Sequence, residues 1–338
     1  MNLADRELWY QYSRSIAAAE QMGIAPVTWQ VFKFKSSTGD TLSRSMLTLH
    51  EMALLYALAR HVYKGRGAIV DAGPLLGAST FALCRGLADN TMITPAQRVG
   101  QVYSFDLFRS QGYEKFLGDI TPPATGSLLP EFLKVNADHI TSIVPHQGDF
   151  MSWAWPNMPV EIFFLDLAKS WELNTFAIRH YFPVLIPGES ILVQQDYIHF
   201  NEYWIHITME HFAEHFEVLG FMHGATCFYR CVKAIDRQAA MVDLKVLPYD
   251  AKRILLERAR AKAPFGVQQV MKSAAAKCAI EHGKLQDARD LLNDVVLDAP
   301  VEHPTLDVRG IARSNYGVVT KMLETALAKQ TVGLAAPH

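Results

Sequence analysis

The sequence predicts an α/β fold: a doubly wound, mostly parallel sheet of seven strands, with a helical segment before it and a helical extension after it. Three observations predict it. Short β-rich runs alternate with helical periodicities from about residue 68 to residue 233. One run, Val160-Glu-Ile-Phe-Phe-Leu-Asp166, is almost continuously apolar, as a strand covered on both faces must be. Beyond residue 236 the β-branched runs thin out and Ala, Lys, Arg and Leu dominate. The chain therefore divides into a helical segment at 1–64, an α/β domain at 65–235 and a helical extension at 236–338.

Residues 1–60 read as mostly helical, most clearly over 47–63, where Lys64-Gly65 supplies a glycine stop. A strand at 68–71 breaks at Gly73 and Gly77 and feeds a helix at 78–88. A second strand at 101–106 leads into 107–127, rich in Gly and Pro, which reads equally as a mobile cover and as an ordinary surface loop. A helix near 128–139, a strand near 141–147, the 160–166 strand, a helix near 171–182 and a strand at 190–194 continue the alternation. A helix near 201–215 and two strands, near 216–222 and 226–233, end it. A tight turn at 219–224 lets the last two strands pair antiparallel. Residues 250–330 read as three or four helices, with a helix–Gly–helix over 272–292 resembling half a tetratricopeptide unit; no second copy follows at that period. A cap, a homo-oligomer contact or a partner platform are the roles open to it.

Of 338 residues, 50% are hydrophobic and 20% charged, which supplies a core and excludes a disordered chain. With 32 Lys+Arg against 34 Asp+Glu, the formal charge of −2 gives no basic footprint for nucleic acid. The opening MNLADRELWY lacks a charged-then-apolar leader and no apolar run reaches the ~18 residues of a span, so a cytoplasmic, non-membrane protein is expected. Four cysteines are too few for a disulfide framework at this length.

The chemistry concentrates where strands end. In Ile69-Val-Asp71-Ala-Gly73-Pro-Leu-Leu-Gly77-Ala-Ser79-Thr80, a strand passes through glycines into a helix, presenting free backbone N–H groups at a positive dipole end. Asp71 precedes the turn, and Asp106 ends the next strand, where an acid is placed to bind paired ribose hydroxyls. The turn is not G-x-G-x-x-G, so a nicotinamide-dependent oxidoreductase is the weaker alternative. Asp166 and Asp196 end neighbouring strands, and their hard oxygens suit Mg²⁺. Lys169 and His199, just beyond, are candidates for general base or for orienting an acceptor. His211-Phe-Ala-Glu214-His215 matches an inverted zinc-protease pattern but lies between two sheet strands and is discounted.

On these residues the chain resembles the class I S-adenosylmethionine (SAM)-dependent methyltransferases, with their Rossmann-like sheet, over about residues 45–233. Asp71, Gly73 and Gly77, with Ser79, match the turn that in that family holds the methionine part of the cofactor, and Asp106 the acid that holds its ribose. His146-Gln-Gly-Asp149 stands where the family contacts adenine. Phe164-Leu-Asp166, Phe182-Pro-Val-Leu-Ile-Pro-Gly188 and Gln195-Asp196-Tyr197 are similar to the macrocin O-methyltransferase and cephalosporin-hydroxylase-like branch, in which two adjacent acids often stand where this chain has Gln195-Asp196. The resemblance implies SAM as cofactor, Mg²⁺ held by Asp166 and Asp196, and methyl transfer to the hydroxyl of a sugar, polyol or other small acceptor. The alternative is a non-catalytic binding or scaffold protein acting through its helical extension.

Overall fold

A computed structural model describes residues 45–117, 120–222, 225–301 and 306–335. The helical expectation for residues 1–44 lies outside them. The α/β prediction holds: one seven-stranded sheet carries the order β3-β2-β1-β4-β5-β7-β6, with β1 Ala68–Ala72, β2 Val102–Asp106, β3 Ile143–Gln147, β4 Val160–Leu165, β5 Ile191–Gln194, β6 Phe216–Met222 and β7 Thr226–Cys231. The first five strands are parallel, and β7 runs antiparallel to both β5 and β6. This is a Rossmann-like architecture. Its chain order reverses between β1 and β4, and at such a switch point the carboxyl ends of the strands open a crevice.

Local chemistry explains the elements. All five residues of β1 and all six of β4 are buried, because helices cover both faces. The edge strand β3 alternates instead and tolerates Pro145, whose missing N–H costs least there. Helix α1 (Leu49–Ala57) starts with a capping box: Thr48 and Glu51 satisfy each other's backbone N–H groups. It then widens into a π-turn over Leu58–Val62 before Gly65. Helix α2 (Ala78–Ala88) starts at Gly77, whose φ of 94° is left-handed; no side chain caps it. Helix α3 (Leu129–Val135) is shorter than expected and passes into a 3₁₀ turn over Ala137–Ser142. Helices α4 (Trp171–Tyr181) and α5 (Tyr203–His211) follow β4 and β5.

Among the described residues the extension has four longer helices, where the sequence predicts three or four: α6 Tyr249–Ala261, α7 Phe265–Glu281, α8 Leu285–Asn293 and α9 Arg309–Ala335. It shares a core with the sheet. One cluster of buried apolar side chains runs without a break from Val70, Phe163 and Leu192 through Tyr203 and Ile207 to Val267, Ala274 and Val319. A second core, with Leu58, Leu83, Phe132, Ile162 and Phe228, lies under α1, α2 and α3 on the opposite face. Among the described residues no helix is long and apolar enough to cross a membrane, and all four cysteines are buried and free.

Candidate functional site

A cavity of about 750 Å³ opens at the carboxyl edge, over the switch point, within the size range of small-molecule sites. Its walls come from the start of α1, the turn after β1, the ends of β2, β4 and β5, and the loop between β2 and α3. Of the residues singled out from the sequence, Gly73, Ser79, Asp106, Asp166, Lys169, Asp196 and His199 line it.

The turn after β1 is bound to the end of β2. Asp106 Oδ2 accepts the Leu75 amide at 2.9 Å and Oδ1 accepts the Phe108 amide at 2.7 Å. Burial raises the Asp106 carboxyl above its ordinary range, against the pull of these two amides. Leu75 (φ 48°), Phe108 (φ 47°) and Asp196 (φ 59°) all hold left-handed backbone at this edge. Such strain costs on the order of 1 kcal/mol per residue and gathers at functional sites. The two glycines are required by the chain itself: at Gly73 (φ 103°) a Cβ would stand 2.9 Å from the Asp166 carbonyl oxygen, and at Gly77 2.3 Å from Asn136 Nδ2. Their signal is therefore close packing of strand ends and of α2 on α3.

Asp71 lies below the cavity floor. It is fully buried, accepts the Ser79 hydroxyl at 2.9 Å and also that of Thr80, and burial, with Asp166 and Asp106 nearby, pushes its carboxyl up to about 7. It shapes the turn from behind and does not line the cavity. Asp149 also stands outside: it is exposed and caps the turn Phe150–Ser152 through the Met151 amide at 2.9 Å. After β2, Tyr113 and Phe116 stand in the cavity wall, and Ser127 Oγ accepts from Gln147 Nε2 at the end of β3 at 3.1 Å.

Asp166 and Asp196 converge as the sequence suggested, and Lys169 bridges them. Its ammonium donates to Asp166 Oδ1 at 2.6 Å and to Asp196 Oδ2. Burial raises the Asp166 carboxyl, and the Lys169 charge opposes that rise. This arrangement does not fit Mg²⁺, because the ammonium already holds the position between the carboxylates. Gln195 offers a neutral amide that lies against the Thr226 hydroxyl. Among the described residues no three His, Cys, Asp or Glu side chains gather as a metal-binding group. His199 Nδ1 pairs with Glu202 Oε2 at 2.6 Å.

Among the lining residues that the sequence did not single out are Glu51 and Ile311. Glu51 is 1% exposed and holds α1 to the β6–β7 turn, accepting the Ala225 amide at 2.9 Å and the Thr226 hydroxyl at 2.8 Å. Its sequence signal was the capping pattern Thr48-x-x-Glu51. Ile311 comes from α9, with no local signal at all.

Fold and site together define a Rossmann-like α/β protein with an acidic cleft at its switch point. No protein-family model matches the chain, and no curated protein matches it.

Proposed function

We propose that this chain is a SAM-dependent methyltransferase acting on a hydroxyl group of a small acceptor, with sugars and other polyols as the acceptor class. The observation that carries this reading is the charge of the cleft. Glu51, Asp106, Asp166 and Asp196 line it, and Lys169 is the one Lys or Arg among its described lining residues. A donor bearing a sulfonium and an amine is attracted to such a site, whereas the pyrophosphate of a nicotinamide dinucleotide is repelled. Asp106 keeps two of its four lone-pair positions for a ribose diol. The polyol acceptor rests on the resemblance of the segment from Phe164 to Tyr197.

When bound, the donor would supply an activated methyl on a sulfonium, whose neutral thioether is the leaving group when the methyl carbon bonds to the acceptor oxygen. His199 Nε2 takes the acceptor's proton, and Glu202 orients the ring and stabilises the imidazolium. Lys169, held by two carboxylates, donates to the acceptor and aligns it. The test is transfer of labelled methyl from SAM to a panel of sugars and polyols. Label in an acceptor, reduced about 10²-fold or more by His199→Gln, is expected for a general base. Label in no acceptor, or full transfer without His199, overturns the assignment.

A second function, a binding module without transfer, is favoured by one observation: both Asp106 oxygens already accept backbone amides. Binding of S-adenosylhomocysteine with no transfer to any acceptor would select it.

A further inference from the structure

The extension holds three buried lysines, Lys252, Lys272 and Lys277, each under 10% exposed. A lysine is seldom buried without a specific partner. Lys272 pairs with Asp294 within the extension, but the other two meet aromatic rings of the α/β domain. Lys277 Nζ, on α7, lies 5.1 Å from the Tyr203 ring centre and 5.4 Å from that of Trp204, and donates to the Asn201 carbonyl at 3.2 Å. Glu281 ties the same group together, 2.7 Å from Lys277 and 2.6 Å from the Tyr203 hydroxyl. Lys252, on α6, sits 5.2 Å over the Trp171 ring.

These rings adjoin the cleft. Trp204 Nε1 donates to the Ala168 carbonyl at 2.7 Å, fixing the turn that carries Lys169. Asn201 Nδ2 donates to Glu202 Oε1 at 3.0 Å, the carboxylate that pairs with His199. Ile311 of α9 reaches the cavity wall itself.

We propose that the helical extension is part of the site: Ile311 stands in the cavity wall, and Lys277 is a positioning residue that fixes the turns bearing Lys169 and His199. The inference rests on the cleft being a transfer site, but its test does not need a ligand. Hydrogen exchange of the full chain is measured for wild type, Lys277→Met and Lys277→Arg. The methionine keeps the stem and removes the charge. It is expected to speed amide exchange about tenfold in 166–171 and 198–204, to leave 69–79 unchanged, and to be largely rescued by arginine. If Lys277→Met fails to fold, Trp204→Phe keeps an aromatic face for Lys277, deletes the donation to Ala168 and is expected to speed exchange in 166–171 alone. Exchange that rises only within α7, evenly over the chain, or nowhere overturns the proposal. Failure of S-adenosylhomocysteine to bind overturns the donor assignment and leaves this result standing.

Discussion

The Leu75 amide donates to Asp106 Oδ2 at 2.9 Å, so the turn after the first strand hangs on the end of the second. One carboxylate thus shapes the floor of the cleft and faces its contents. Asp106→Asn keeps one acceptor oxygen and removes the charge. It is expected to cost about 1–2 kcal/mol in a denaturant melt, from one weakened amide contact, and to lower S-adenosylhomocysteine affinity at least about tenfold. A variant that binds as well as wild type would remove Asp106 from the ligand site.

Asp71 makes stability depend on pH. Its carboxyl stands near 3.8 in the unfolded chain and about 7 in the folded one, raised by burial. Between those values the folded state holds a proton that the unfolded state has lost. The stabilisation is complete below the lower value and is lost as pH rises through the upper one. Asp71→Asn cannot titrate, so its stability relative to wild type should rise by about 3 kcal/mol from pH 5 to pH 8. Denaturant melts at the two pH values check this; a difference independent of pH contradicts it.

Lys169 supplies its own cation to Asp166 and Asp196. Removing it leaves two converging carboxylates with nothing between them. Lys169→Ala is expected to gain Mn²⁺ or Mg²⁺ binding, with stabilisation of about 2.7 kcal/mol at a hundred times Kd, while wild type melts alike with and without metal. Stabilisation of wild type by the ion would mean that the metal displaces Lys169.

Glu51 joins the first helix to the last hairpin. Glu51→Ala orphans the Thr48 and Ala225 amides, at about 1–3 kcal/mol each, and should destabilise by roughly 2–6 kcal/mol; Glu51→Gln retains an acceptor and should lose less. Urea unfolding of both variants decides between this and a solvated surface acid.

Element type and the mostly parallel sheet were legible because β4 is apolar throughout and β1 breaks at glycines, signals that report the burial of a central parallel strand, whereas the order of the strands in the sheet leaves no such local mark. The end of α3 was not, since a helix passing into a 3₁₀ turn keeps its periodicity while its hydrogen bonds change. Asp106, Asp166 and Asp196 line one cavity, as their places at strand ends imply, because strand ends converge by topology. The depth of Asp71 was missed: an acid before a glycine turn reads alike whether it faces the ligand or the hydroxyls of Ser79 and Thr80. The bridge from Lys169 to Asp196 spans 27 residues, and Ile311 comes from another layer of the fold. Contacts of that kind depend on packing and leave no local pattern.

Calorimetric titration of S-adenosylhomocysteine into the full chain, with NAD⁺ as the control, tests the central claim most directly. One saturable site at micromolar ligand, weakened by Asp106→Asn and absent for NAD⁺, is the predicted result. No heat at millimolar S-adenosylhomocysteine, or binding indifferent to Asp106, would contradict it.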